Sequence, residues 1–338
     1  MNSLIRHQYI DRATREVKTE HLFFDRLINF LYSHLAEQSN FLFSTLTSPR
    51  ATDILGYLNF DFPLKRYFYC PFRLAKTLSV DLDECLDPPE ALDTPRKFFE
   101  RKIKYRRYRP KPPEKDAVVS PADSKMLVGT FEEHSLLFVK EKFFSFQEML
   151  GESSTGWLTK FHQGSFAVFR LTPDKYHYNH APVSGRVVDI YQIPGRYHSC
   201  NPGAVVHVLR PYSKNKRVVT IIDTDVEDGT GIGLVAMIEV VALMIGDVVQ
   251  CYSDQNYDCP RQIEPGMMLA KGQPKSLFRP GSSVVVLIFQ PGRVAFCSDI
   301  VSNLRHSNAV SRFSQGFGKS LVETEVNVRS KIGKRRVR

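Results

Sequence analysis

The stretch 277–289 reads LFRPGSSVVVLIF. Its last six residues, Val284, Val285, Val286, Leu287, Ile288 and Phe289, form an unbroken apolar run rich in β-branched side chains. That run predicts a core strand. A Gly-Ser-Ser turn opens it. Gly281 can take backbone angles closed to other residues, so a strained peptide bond can be held there with the Ser282 hydroxyl beside it. The plain alternative is a tight turn leading into a strand. Further Val/Ile/Phe-rich runs lie between Gly, Pro and Asp turns at 136–139, 166–171, 186–190, 204–209, 218–222, 234–241 and 247–252. The pattern is that of a mostly β domain. Gly229-x-Gly231-x-Gly233 has neither dinucleotide spacing nor the Lys-Ser/Thr of a phosphate loop, and reads as a turn before a strand.

Upstream the character is different. Between residues 21 and 35 the apolar side chains Leu22, Phe23, Leu27, Ile28, Phe30, Leu31 and Leu35 fall on one stripe at helical spacing. Such a stripe is either core or the apolar face of a helix lying on a membrane. A second helix is expected at 51–58, and a third near Thr94, where a capping residue precedes Pro95. The proline-rich, charged segment 107–116, RYRPKPPEKD, reads as a linker. The expected fold class is α+β, with a helical N-terminal region at 1–112 followed by a β-rich domain at 113–338.

Composition bounds the function. The chain has 338 residues, 42% hydrophobic and 24% charged, which is ordinary for a folded protein. No apolar run approaches the roughly 20 residues of a membrane-spanning helix, and MNSLIRHQYIDRATREVK lacks a signal-peptide core. A non-secreted protein without a transmembrane helix is expected. Six cysteines without a CxxC pair argue against a zinc ribbon or disulfide framework, and suit reduced thiols in a cytosolic setting. The net charge of +10 is concentrated: 96–115 holds ten basic residues against two acidic, and 329–338 six against none. Two basic clusters on an otherwise slightly acidic chain suit an anionic partner, with a solvated helix face and a loose tail as the plain reading.

Two further segments carry candidate chemistry. Val118-Val119-Ser120-Pro121-Ala122-Asp123 ends an apolar run in a turn that presents one carboxylate, although such an Asp also serves as a backbone cap. RLTPDKYHYNHAPVSG, at 170–185, places His177 and His180 between two proline turns. Imidazoles pass protons near neutral pH. Their spacing, even with His198 and Cys200, matches no zinc pattern, so no metal is expected.

In order along the chain, these segments resemble the phosphatidylserine decarboxylase family. The resemblance rests on Phe98-Phe99-Glu100-Arg101, Pro121-Ala122-Asp123, the Tyr-His-x-x-His-x-Pro-x-x-Gly of 176–185, Asn215-x-Arg217-Val218, Gly246-Asp247-Val248 and Gly281-Ser282. It covers the C-terminal two-thirds. It implies that Asp123 orients His180, that His180 acts as base, and that Ser282 attacks the carbonyl of Gly281. The chain would then be cut between 281 and 282, leaving a pyruvoyl group derived from Ser282 at the head of a short chain, 282–338. That carbonyl condenses with a substrate amine and withdraws electrons as carbon dioxide leaves. His177 matches the substrate-handling position and is expected to protonate the resulting carbanion.

The implied reaction is phosphatidylserine to phosphatidylethanolamine and carbon dioxide. The implied partners are an anionic phospholipid membrane, contacted peripherally on its cytoplasmic side by the N-terminal region, the associated long and short chains, and a second copy in a dimer. Nucleic acid is not expected, since no aromatic-basic module is present. One departure stands out: Ser283 replaces the family's usual Thr after Ser282. Relatives with Gly-Ser-Ser include enzymes of free amino acids, which leaves a free-amino-acid decarboxylase as the alternative, and an uncleaved scaffold as the reading from another class.

Overall fold

The computed structural model describes residues 6–22, 25, 48, 57, 60, 69–133, 143–207, 210–242, 247–281 and 283–337. The apolar stripe at 21–35 and the helix expected at 51–58 fall almost entirely outside them, as do the run 136–139, Gly246 and Ser282. In chain order the strands are β1 (Gln8–Asp11), β2 (Val17–Thr19), β3 (Ala117–Val119), β4 (Ser124–Thr130), β5 (Ser165–Leu171) and β6 (Tyr178–His180). They continue with β7 (Gly185–Ile193), β8 (Arg217–Asp223), β9 (Leu234–Val241), β10 (Val248–Gln250) and β11 (Met268–Leu269). The last are β12 (Pro274–Phe278), β13 (Ser283–Phe289), β14 (Val294–Phe296), β15 (Glu323–Val326) and β16 (Lys331–Arg335).

One sheet of ten strands, ordered β11-β7-β8-β9-β13-β5-β4-β15-β1-β2, forms the body. The run that opened the sequence reading is β13, at its centre. Val286 lies opposite Ile238 of β9 on one side and Val168 of β5 on the other. All seven of its residues are buried, which is why the run is continuous rather than alternating. Each of these aliphatic side chains contributes about 1.5–3 kcal/mol by leaving water. Two smaller sheets, β10-β12-β6 and β14-β16-β3, complete the β structure. The first is tied to the body by fully buried Lys275 of β12, whose Nζ donates to Glu239 of β9 at 2.9 Å and to Gln250 at 2.8 Å. The fold class is α+β, as expected.

Helices are short. They include α1 (Pro71–Leu78), α2 (Pro95–Phe99), α3 (Tyr105–Tyr108), α4 (Phe146–Leu150), α5 (Thr155–Phe161) and α6 (Pro202–His207). Thr94 caps α2 as its sequence suggests, its Oγ1 accepting from Lys97 N at 3.2 Å.

Two expectations need correction. The opening of the chain is not helical, because Gln8–Asp11 and Val17–Thr19 pair as strands and β1 adds to β15 in parallel. The strand expected at 204–209 is instead helix α6 at 202–207: Asn201 Oδ1 accepts from Gly203 N at 2.8 Å, and the following proline presets the first turn. In the basic C-terminal segment, whose plain reading is a loose tail, Lys331–Arg335 is strand β16, which pairs with β14 and β3. The glycine-rich turn before β9 is as read, with Gly231 and Gly233 at φ 74° and 77°. Among the described residues no helix is long and apolar enough to cross a membrane.

Candidate active site

The site is built where β6 meets β12. The strands run antiparallel, with Tyr178 opposite Leu277 and Asn179 opposite Ser276. Just before β6, the carbonyl of His177 accepts from Phe278 N at 3.1 Å. Three residues beyond Phe278 is Gly281, at φ 146°, a conformation that strains any residue with a Cβ. The turn between them is anchored twice. Arg279 N donates to Asp247 O at 3.2 Å, and its guanidinium donates to both Glu100 carboxylate oxygens at 2.9 Å.

His177 is wholly buried. Its Nδ1 faces the Lys175 carbonyl at 2.8 Å, and a carbonyl only accepts, so Nδ1 carries the proton and Nε2 presents a lone pair. Among the described residues that Nε2 has no hydrogen-bond partner. Phe99 lies against the ring, with centroids 3.6 Å apart. Burial pushes the imidazole down to about 3, and the nearby Arg101 charge acts in the same direction. A buried, neutral nitrogen is costly to leave unpaired, and a role in chemistry is one reason for a fold to keep it so.

His180 is also wholly buried. Nδ1 donates to Gly272 O at 2.9 Å, and Nε2 meets Tyr176 Oη at 2.9 Å. Burial pushes it down to about 3. Asp123 lies on the adjoining turn, which is bound to β6 by His180 N donating to Pro121 O at 2.7 Å. Its carboxylate accepts from Arg109 Nε and Nη2, each at 3.0 Å, and from Val328 N at 2.7 Å. Arg109 is held in turn by Glu84 at 2.9 Å. Among the described residues, then, the imidazole of His180 is oriented by donating to Gly272 O and not by donating to Asp123. Asp123 reaches it as a charge that favours the protonated ring. Asp123, His177 and His180 therefore belong to one neighbourhood, while Ser282 lies outside the described residues.

The remaining motif residues brace this neighbourhood. Arg101 donates to Asp174 O at 2.7 Å, at the turn before His177. The Asn215 side chain takes His198 N at 2.7 Å and gives to His198 O and Val241 O at 2.9 and 2.8 Å. Arg217 Nε donates to Met149 O of α4 at 3.0 Å. Sequence reasoning missed Tyr257, whose Oη meets Tyr176 Oη at 2.7 Å, together with Arg279 and the orienting Gly272. Tyr257 lies in an irregular loop without any local signal. Tyr176 was legible in the motif but had no role assigned to it.

Among the described residues one cluster has metal-ligand chemistry: His7, Glu20 and Glu323 bring ligand atoms within 4.8 Å of one another. Arg170 already spans it, donating to both carboxylates. The group is an ion-paired joint rather than a vacant set of ligands.

Two buried imidazoles of fixed geometry beside a glycine-kinked turn define an acid–base site. The sequence profile describing phosphatidylserine decarboxylase matches residues 96–313. The phosphatidylserine decarboxylase proenzyme of Chlamydia trachomatis serovar L2 is 31% identical over 337 residues, covering 97% of each chain. That of Fusobacterium nucleatum is 27% identical over 312 residues, covering 88% of this chain and 92% of the relative. That of Clostridium tetani is 27% identical over 339 residues, covering 97% and 98%. The chain belongs to the phosphatidylserine decarboxylase family, whose members are carboxy-lyases.

Proposed function

We propose that this chain cuts itself between Gly281 and Ser282 and, with the pyruvoyl group so made, decarboxylates phosphatidylserine to phosphatidylethanolamine. The observation that carries the reading is the unpartnered Nε2 of His177, buried beside the strand that leads to Gly281. Family membership and the φ of Gly281 support it further.

In the first stage the Ser282 hydroxyl oxygen bonds to the Gly281 carbonyl carbon, and its proton passes to His180. The carbon–nitrogen bond then breaks, the freed amine of residue 282 takes the proton, and an ester joins the two residues. Loss of the α proton of residue 282 expels the Gly281 carboxylate. Water then replaces nitrogen, which leaves as ammonia, and a pyruvoyl group heads the short chain. Asp123 favours the charged imidazole through its field. The short chain stays in place because β13 is paired on both sides by strands of the long chain.

Once formed, the pyruvoyl carbonyl supplies an electron sink for the carboxylate that leaves. His177 handles the proton at Nε2, delivering it to the carbon that loses carbon dioxide. An anionic headgroup entering beside this ring opposes the effect of burial and supplies the protonated form. The pairing of β3 with β16 brings the two basic segments side by side, with Arg335 N donating to Asp116 O at 3.1 Å. Lys104, Arg106, Arg107 and Lys111 of the first segment and Lys334 and Arg336 of the second are exposed. That supports a peripheral contact with an anionic membrane on its cytoplasmic side.

The test is the intact mass of the purified protein beside Ser282→Ala. Two chains, 1–281 and a pyruvoyl-headed 282–338, are expected from the natural sequence, and one chain from the variant. A single uncut chain in both overturns the reading. Carbon dioxide release from phosphatidylserine vesicles identifies the substrate, whereas full activity on free amino acids without lipid points to the soluble alternative.

A further inference from the structure

The hydrogen bonds around His180 do not balance for a neutral ring. Four contacts form a chain: His180 Nδ1 to Gly272 O at 2.9 Å, His180 Nε2 to Tyr176 Oη at 2.9 Å, Tyr176 Oη to Tyr257 Oη at 2.7 Å, and Tyr257 Oη to Ile103 O at 2.9 Å. Each needs one proton between its heavy atoms. A neutral imidazole and two phenols offer three, because both ends of the chain are carbonyls that only accept. One contact is therefore always left without a proton. The Ile103 N–H, which also reaches Tyr257 Oη at 3.1 Å, does not fill the gap.

An imidazolium supplies the fourth proton. Nδ1–H then donates to Gly272 O, Nε2–H to Tyr176, Tyr176 to Tyr257, and Tyr257 to Ile103 O, with no donor or acceptor in the chain left over. We propose that Tyr176 and Tyr257 are positioning residues that complete this chain when His180 takes the Ser282 proton, and so hold the charged ring during self-cleavage. This rests on the self-cleavage reading above. The proton enters as the serine O–H bond breaks and departs to the amine of residue 282, which returns the chain to three protons.

Other groups bear on the ring. Tyr105 of α3 lies edge-on at 4.8 Å, and Arg329, over the face of Tyr105, opposes the charge on His180. Asp123 favours it, and burial opposes it most. The tyrosine pair acts with Asp123 against burial.

The test is self-cleavage of the full chain made by cell-free synthesis, followed against pH for the natural sequence, Tyr257→Phe and Ser282→Ala. The neutral ring is the base, so cleavage rises with pH through the titration of His180. Losing the Tyr257 hydroxyl makes the charged ring less favourable, which moves that rise about one pH unit lower and slows the plateau about tenfold. A slowed plateau with an unmoved rise, or a profile identical to the natural one, overturns the proposal while leaving self-cleavage intact. A natural chain that stays whole overturns the self-cleavage reading itself. Should Tyr257→Phe fold poorly, the His180 titration followed by NMR in uncut Ser282→Ala and Ser282→Ala/Tyr176→Phe decides, with a downward move expected and no move fatal.

Discussion

At the scale of single residues, the two histidines of one motif have opposite surroundings. His177 gives one nitrogen to a carbonyl and leaves the other bare, whereas both nitrogens of His180 are engaged. The bare nitrogen suits a ring that meets substrate, and the engaged one suits a ring that acts inside the fold. His177→Gln is therefore expected to leave the cut between 281 and 282 intact and to lower decarboxylation about 100-fold or more, the usual share of a proton-transfer group. Mass spectrometry and carbon dioxide release separate the two effects, and loss of the cut itself would show that His177 also serves the first stage. The histidines and Asp123 were legible because few residue types move protons. Tyr257 was not, since it comes 81 residues after Tyr176 and only folding sets the phenols together.

At the scale of elements, β13 couples the site to the core. It starts at Ser283, one residue beyond the proposed cut, and is paired along its whole length with β5 and β9. Leu287→Ala removes a buried side chain between Ala167 and Met237, and is expected to cost about 2–5 kcal/mol in chemical denaturation. The variant should still be cut, because residue 287 lies in the strand and away from the turn. The apolar runs that became β5, β7, β8, β9 and β13 were readable from local pattern. Strands β1, β2 and β15 were not, because short strands with charged residues at the sheet margin carry little periodic signal. The run at 204–209 misled for a different reason: β-branched residues favour strands only weakly, and an Asn-Pro start outweighs them.

At the scale of the whole molecule, the ends of the chain are locked together. Arg170 of β5 donates to Glu20 at 2.8 Å and to Glu323 at 3.0 Å, and His7 Nε2 donates to Glu323 at 2.8 Å. All four are buried. The proposed cut would leave Glu323 on the short chain and His7, Glu20 and Arg170 on the long one. The neighbouring charges outweigh burial and hold Glu20 down at about 2 and Glu323 lower still, against an ordinary 4.5. A carboxylate depressed in this way stabilises the fold fully above about pH 4.5 and loses that contribution as pH falls towards 2. Buried His177 and His198, at about 3 and about 4 against an ordinary 6.5, act in the same direction from a higher starting point, because unfolding lets them take protons. Stability should therefore begin to fall below about pH 6.5 and fall more steeply below 4.5. Thermal unfolding across pH 2–8 checks this, with Glu20→Gln expected to flatten the lower part. A midpoint that is level between pH 3 and 7 would refute the assignment.

The sequence by itself determined the kinds of chemistry available and the strands that become core. A buried strand must be apolar, and a proton carrier must be His, Asp or a similar group, and both are properties of the residue. Only the tertiary structure decided that Gly272 and not Asp123 orients His180, that two tyrosines stand behind it, and that the basic C-terminal segment pairs with β3 as strand β16. Each of these joins residues far apart along the chain, and the hydrogen bonds and charges involved act over a few ångströms of space, whatever the separation in sequence.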